Sequence, residues 1–489
     1  MNQTSQIRAF VRARARSHRT WSDRYITLFA LGLLVVVALP MITRTVQAVP
    51  DDVDPARAGA GLALIALILA ASLNLARVVG PVGVSPADAA WLVLSPLPRP
   101  GVLAHTLLLL AVVGAVTGAI LGLALVSALG ATDAPTIRLL ACVVLGMSWT
   151  LGGTAATVLA QASQPWGDRL LALLAALVVV AVAAMSTGPG QGALSGIASA
   201  PAATWTTAAS VSATAAAALA WRAWAALARI PARAVLQAST RVGVAAGALL
   251  GMDPGSLTLI AEDAHWRSRV LRSRAWPSRL RGAAAVAWLD WRSLARRPGR
   301  LALVAAATVV PVLTARAGGG APGTLIVLAA GALAVAATGT AGARRDAGDA
   351  ALARLLGTGP RALLAARSVL PALLGGSWLA LALGGLDLAG PGALLWPLGV
   401  LCAPALAAGA LRLAHRRPIE HTMPVMDTPL GPVPLGPLVW ALTGADIALL
   451  GCLPALLAFT TGVSGPLLAA QAVWGTAVLA TYCAAPRRT

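Results

Sequence analysis

Residues 83–100 read GVSPADAAWLVLSPLPRP, a half-polar segment between two apolar runs that are each long enough to cross a bilayer. A second version begins at Asp349. Asp88-Ala-Ala-Trp-Leu-Val-Leu-Ser-Pro-Leu-Pro-Arg-Pro-Gly-Val-Leu-Ala aligns without a gap to Asp349-Ala-Ala-Leu-Ala-Arg-Leu-Leu-Gly-Thr-Gly-Pro-Arg-Ala-Leu-Leu-Ala. Asp-Ala-Ala opens each copy, a Pro/Gly break follows at the same distance, and an apolar run starts at Val102 or Leu363. A single stretch of this kind is an ordinary interfacial turn. Two copies, each between the second and third apolar runs of its own half, point to a duplicated architecture.

The rest of the chain has the composition of a membrane protein. Of 489 residues, 58% are hydrophobic and only 11% charged, with mean hydropathy +0.79; a soluble domain carries about 25% charged residues. Apolar runs of spanning length recur throughout. The predicted spans are 25–42, 58–76, 102–128, 137–160, 169–186, 204–226, 300–315, 322–341, 362–385, 392–412, 447–461 and 466–484. Twelve spans place both termini on one side, and arginine decides which. With cytoplasmic termini, 33 of the 37 arginines fall at inside segments and four outside, at Arg44, Arg57, Arg138 and Arg316. One missed helix would scramble that split. The net charge of +20 therefore reads as a topology signal and an attraction to anionic lipid, not as a nucleic-acid surface. The N-terminal basic stretch leads straight into a full-length span and is read as uncleaved.

Two further correspondences support the duplication. Trp166-Gly-Asp168 opens the fifth span and Gly444-Ala-Asp446 the eleventh, each placing an acid where free helix N–H groups favour it. A basic, Trp-bearing amphipathic stretch precedes the first span (Phe10 to Arg24) and the seventh (Trp288 to Arg300), where Asp290 and Arg292 are expected to anchor it. The predicted fold is all-α: a polytopic bundle of two parallel six-helix repeats with short cytoplasmic helices. Its segments are an arm at 1–24, a first half at 25–228, a cytoplasmic linker at 229–299 and a second half at 300–489. The opening segment is then a short helix begun by Ser85 or Asp88, with Trp91, Leu92 and Leu94 at the interface. The Pro96/Pro98/Pro100 run stops it.

At these residues the chain resembles the membrane subunits of ATP-binding-cassette exporters of the type-2 class. Those have six spans per half, an amphipathic elbow helix, and a coupling helix between spans two and three with an acid, leucines and a Ser-Pro-x-x-Arg-like turn. Here Asp88, Leu92, Leu94, Ser95, Pro96 and Arg99 match that pattern, with Trp91 beside them. In the second half Asp349, Leu352, Leu355, Leu356 and Arg361 do so, with Gly-Thr-Gly-Pro replacing the Ser-Pro turn. The chain is also similar to uncharacterised twelve-span permeases of GC-rich bacteria. The resemblance implies a permease of the bacterial inner membrane whose coupling segments meet a cytoplasmic ATPase in trans. The glutamate-rich form of the coupling motif is absent: the only glutamates are Glu262 and Glu420.

Several chemistries are excluded or left without residues. All 37 basic residues are arginine, so no phosphate-binding loop with its lysine and no lysine Schiff base can be built. ATP, if used, is hydrolysed by another chain. Cys142, Cys402, Cys452 and Cys483 lie singly in apolar runs and are expected to pack as small hydrophobes. The five histidines show no metal spacing, and His105 is read as packed or interfacial. Asp51-Asp52-x-Asp54 is read as solvated loop charge. No catalytic constellation, cofactor site or metal site is predicted. In the linker, Arg267, Arg269, Arg272 and Arg274 beside Trp266 and Trp276 form a basic amphipathic stretch suited to anionic lipid or a partner. Nearly every charge falls at a span end, and Asn74, Thr117, Ser148 and Gln161 are isolated polar residues. That favours a permease with hydrophobic or amphipathic cargo over an ion-coupled carrier, which needs charge near mid-bilayer. A membrane scaffold that moves nothing fits the same pattern.

Overall fold

The computed structural model describes residues 54–84, 89–94, 99–130, 134–185, 189–250, 279–355, 357–390, 394–416, 425–428, 431–434, 440 and 442–485. Its elements are helices apart from one two-stranded hairpin. Among the described residues, nine helical stretches are long and apolar enough to cross a membrane. The chain is a helical membrane protein by that measure, and its surface agrees. Val178, Val179, Val180 and Val182 are all exposed on one helix, and Leu108, Val113 and Ile120 on another, a density of outward apolar side chains suited to lipid rather than water. Of the other three expected spans, 25–42 lies outside the described residues. The remaining two, 392–412 and 447–461, are each broken in the middle.

The chain divides into two compact units, Met1–Val242 and Gly243–Thr489. In the first, α1 (Pro55–Val79) starts at Asp54, whose carboxylate accepts from the Ala56 N–H at 2.9 Å. A five-residue π-type turn, Ala89–Val93, precedes α2 (Arg99–Leu129), α3 (Pro135–Ala162), α4 (Gln164–Met185), the short α5 (Pro189–Ala198) and α6 (Ala202–Ala226). A 3₁₀ turn at Leu227–Arg229 leads into α7 (Ala232–Leu250). α3 is central: it packs on α2, α4 and α6. Gly114, Gly118 and Gly122 recur every four residues along α2 and let its backbone meet that of α3. A Cβ on Gly122 would collide with the Cys142 carbonyl, and one on Gly146 with the Gly118 carbonyl. One end of the unit is filled by Leu121, Leu125, Cys142, Leu145 and Trp205. The other is filled by Leu103, Val158, Leu159, Leu227, Ile230 and Val235.

Arg138, in the first turn of α3, is fully buried. It donates to the Ala198 and Ala200 carbonyls, and its guanidinium lies 5.3 Å from the centre of the Trp205 ring. It thereby closes the end of α5 onto the start of α6. The linker also differs from expectation, because α7 packs into the first unit. Val235 and Ser239 are fully buried there, since an apolar stripe on that helix meets the chain around Val82.

The second unit runs α8 (Gly282–Ala295), α9 (Pro298–Ala306), α10 (Val309–Arg316), α11 (Gly320–Thr338), α12 (Ala341–Gly348), α13 (Ala350–Leu355) and α14 (Pro360–Ala389). It continues with α15 (Trp396–Leu401), α16 (Ala403–Ala414), strands β1 (Val425–Thr428) and β2 (Gly431–Pro434), then α17 (Ala445–Gly451), α18 (Leu453–Thr461) and α19 (Gly465–Ala484). The strands pair antiparallel, Val425 with Pro434 and Thr428 with Gly431. This hairpin is a local exception within a helical fold: Pro432 and Pro434 exclude helix there. Prolines also explain the broken spans. The α15/α16 interruption is at Cys402, two residues before Pro404, and the α17/α18 interruption is at Cys452, two before Pro454. α14 packs on α11, α15 and α16, while α16 packs on α17 and α19. The core of the unit centres on Leu328, Leu370, Leu374, Trp378, Leu398 and Leu406.

Candidate functional site

Each unit carries a short exposed element between its second and third long apolar stretches, on a connector tied to neighbouring helices. In the second unit the tie is ionic. Arg367 lies two turns inside α14, where an unpaired charge would be costly. Its Nη1 donates to Asp290 Oδ1 of α8 at 2.5 Å. Its Nε and Nη2 donate to both carboxylate oxygens of Asp346 on α12, at 2.8 and 3.1 Å. The Asp346 contact is the forked, two-bond geometry that guanidinium favours. All three side chains are less than a tenth exposed. Gly342 is required beside them, because a Cβ there would run into the Arg367 guanidinium and the Asp290 carboxylate. Burial pushes the Asp290 carboxyl above its ordinary range, and Arg367 only partly pulls it back. Asp290 Oδ2 is buried with no hydrogen-bond partner. The expected anchoring by Asp290 is thus an ion pair to the third long helix, whereas Arg292 stays half-exposed.

From this clamp the chain emerges into α13. Asp349 Oδ1 accepts from the Ala351 N–H at 3.1 Å and starts the helix. Leu355 is 85% exposed, and Arg361 is exposed in the first turn of α14. The Leu352 side chain and Leu356 lie outside what the structure describes.

In the first unit, uncharged groups make the tie. The Gln161 amide bonds both ways to Val82: its Oε1 accepts from the Val82 N–H at 3.0 Å and its Nε2 donates to the Val82 carbonyl at 3.1 Å. Val84 N–H donates to Ser239 Oγ at 3.0 Å, Thr106 Oγ1 donates to the Gly83 carbonyl at 3.2 Å, and Arg241 Nη1 donates to the Val78 carbonyl at 3.1 Å. The connector is thus held by α2, α3 and α7 together. In the ungapped alignment, Thr106 occupies the place of Arg367, and Ser85 that of Asp346. Beyond the tie, Trp91 is 81% and Leu94 65% exposed, while Ala89 and Val93 turn inward. Arg99 Nη1 donates to the Ile230 carbonyl at 2.5 Å, so that residue packs inward rather than outward. Asp88, Ser95 and Pro96 lie outside the described residues, as does the Leu92 side chain. The expected short α-helix is a π-type turn of five residues, Ala89–Val93.

Other expected residues take structural places. Asp446 sits at the start of α17, accepting from the Gly444 and Ile447 N–H groups at 2.8 and 2.7 Å and pairing with Arg412 at 2.9 Å. That pair is about 40% exposed on both sides, and such pairs contribute at most about 1 kcal/mol. Thr117 and Ser148 donate to carbonyls of their own helices. Among the described residues, no three of His, Cys, Asp or Glu gather as a metal site would require. Arg267, Arg269, Arg272 and Arg274 lie outside the described residues. Arg367 and Asp346 are the functional candidates that sequence reasoning passed over. The available signal was an arginine well inside an apolar run, which requires a partner.

No curated protein and no solved structure matches the chain. The match that does exist covers most of the chain, residues 53–424, and the protein therefore belongs to DUF6297, a family of unknown function.

Proposed function

We propose that this protein is the membrane-embedded permease subunit of an exporter of the ATP-binding-cassette type, driven by a separate cytoplasmic ATPase and moving a hydrophobic or amphipathic substrate. In this reading the chain spans the bacterial inner membrane twelve times as two six-helix repeats, with both termini cytoplasmic. The broken stretches at Cys402 and Cys452 count as spans. Support for the repeats comes from the packing order inside each unit, where the third long stretch meets the fourth and the fourth meets the fifth and sixth.

One observation carries the proposal. Trp91 and Leu94 in one unit, and Leu355 in the other, stand exposed on short elements whose connectors are tied to the long helices. A load applied at either element passes into those helices through short polar contacts instead of dissipating in a loose loop. Trp and Leu side chains exposed in this way suit docking into an apolar groove. Arg361 adds charge at the same end, while Asp349 is spent on starting α13. ATP belongs to the partner chain, since this one has no lysine for a phosphate loop. Anionic lipid is assigned to Arg267, Arg269, Arg272 and Arg274; no nucleic acid is involved.

The ion-coupled alternative loses its main residue, because Asp446 sits at a helix start and is paired with Arg412. A scaffold would share the exposed elements but produce no flux. The deciding experiment is affinity capture of the tagged chain in mild detergent, followed by ATPase assay of the eluate. A nucleotide-binding partner should co-purify and be lost from Trp91→Ala/Leu355→Asp. Recovery of no ATPase, or retention of the partner by that double variant, refutes the proposal.

A further inference from the structure

The second unit contains a cavity of about 350 Å³. Its wall is built from α11, α14, α15, α16, α17 and α18 and presents aliphatic side chains and one phenylalanine, Phe459. Cys402 and Cys452 are the only lining residues whose side chains carry a heteroatom. Each stands at the interruption of a broken helix. Interrupted membrane helices ordinarily offer their freed backbone groups to an ion or a polar substrate. At the Cys452 interruption those groups are satisfied from α19. Gln471 of α19 takes the Ala455 N–H and the Gly451 carbonyl, and Trp474 Nε1 takes the Leu450 carbonyl. α19 contributes no residue to the cavity wall. A ligand entering the cavity therefore finds little to satisfy a charge or a hydrogen-bonding group, and an unsatisfied polar group there is costly. An apolar cavity of about 150 Å³ already stays dry and takes a small hydrocarbon. Ile326 and Leu449 line the cavity while remaining 68% and 46% exposed, so its mouth opens on the apolar outer surface of the unit.

We infer that this cavity binds one acyl chain of a membrane lipid, entering sideways past Ile326 and Leu449 with the headgroup left outside. The inference rests on the permease reading for its role as a cargo site, but the binding itself needs neither partner nor flux. The test uses the full chain in nanodiscs whose phospholipids carry a diazirine at the acyl terminus, with crosslinked peptides mapped by mass spectrometry. Crosslinks are expected to favour Leu328, Cys452 and Phe459 over the outward Val179 and Val182 by about tenfold, the ratio set by about 1.4 kcal/mol of preference. Ala329→Trp and Leu456→Trp fill the space separately. Whichever retains the parent gel-filtration profile should remove the cavity crosslinks and leave the others. Equal labelling of cavity and outward faces, or persistence of the cavity crosslinks in both variants, overturns the inference. So does labelling by a free diazirine alkane but not by the lipid, which would assign the site to a headgroup-free hydrocarbon. Loss of the ATPase partnership would leave these crosslinks unchanged, so the two proposals fail separately.

Discussion

Gln471→Leu is expected to destabilise the second unit through a defect in its neighbour, α18. In an unbroken helix the Ala455 N–H would bond to the Gly451 carbonyl, four residues earlier. Pro454 opens this turn: its missing N–H leaves the Leu450 carbonyl to Trp474, and its ring crowds the preceding turn so that the neighbouring rung does not close. The side-chain amide of Gln471, fully buried in α19, fills the opened rung. Its Oε1 accepts from Ala455 N–H at 3.0 Å and its Nε2 donates to Gly451 O at 2.9 Å. Leucine has nearly the same bulk but leaves one donor and one acceptor buried and unmet. At about 1–3 kcal/mol for each orphaned group, the cost is about 2–6 kcal/mol, and an apolar environment favours the upper part of that range. At about 2–4 °C per kcal/mol, the midpoint should fall by about 4–24 °C. The assay is thermal unfolding of detergent-solubilised protein followed by size-exclusion fluorescence. Gln471→Glu supplies the control. Its neutral carboxyl can both accept from Ala455 and donate to Gly451, so its midpoint should lie closer to the parent than that of Gln471→Leu. A Gln471→Leu midpoint within 1 °C or so of the parent would refute the rung-filling argument, because a defect of this size cannot hide in a smaller shift.

The ionic clamp predicts an asymmetry. Asp346→Asn removes the forked partner of Arg367 and should cost about 3–5 kcal/mol, whereas Asp290→Asn leaves one guanidinium facing one carboxylate and should stay within about 1 kcal/mol of the parent. Because burial raises Asp290, the parent loses stability as pH climbs from the unfolded to the folded value of that carboxyl, so the relative standing of Asp290→Asn should improve from acidic to neutral pH; equal midpoints for the two variants at all pH values would contradict this. Gly122→Leu should separate α2 from α3 and cost about 1–3 kcal/mol or more, read as a lower midpoint and reduced monodisperse yield. Arg138→Met should keep most of the volume but abandon the Ala198 and Ala200 carbonyls, with a loss of about 2–4 kcal/mol measured in the same melt.

The helices were largely legible from local sequence. The expected runs 58–76, 102–128, 137–160 and 204–226 appear as Pro55–Val79, Arg99–Leu129, Pro135–Ala162 and Ala202–Ala226. Apolar length decides whether a segment can span, and the Pro, Gly and Asp residues that bound it act within a turn or two. The same local logic placed Asp446 at a helix start. It failed at 392–412 and 447–461, where internal prolines interrupted runs that hydropathy alone reads as continuous. It failed again at 232–250, where a stretch read as linker proved to carry a buried stripe.

The site was half legible for a related reason. Exposure of Trp91 and Leu355 follows from their place in short segments flanked by breakers, which is local information. The contacts that tie those segments down are not local: Arg367 meets Asp290 across 77 positions, and Ser239 meets Val84 across 155. What the amino-acid order determined by itself was which stretches are helical, which of those are apolar enough for a membrane, and that arginine is the sole fixed cation. The tertiary structure alone decided that Arg367 has two carboxylates, that Gln471 fills a rung opened by Pro454, and that two broken helices enclose an apolar cavity. Helix formation draws on neighbours within a few residues, whereas the pairing of a buried charge or orphaned amide is chosen by whichever distant side chain the packing brings within 3 Å or so.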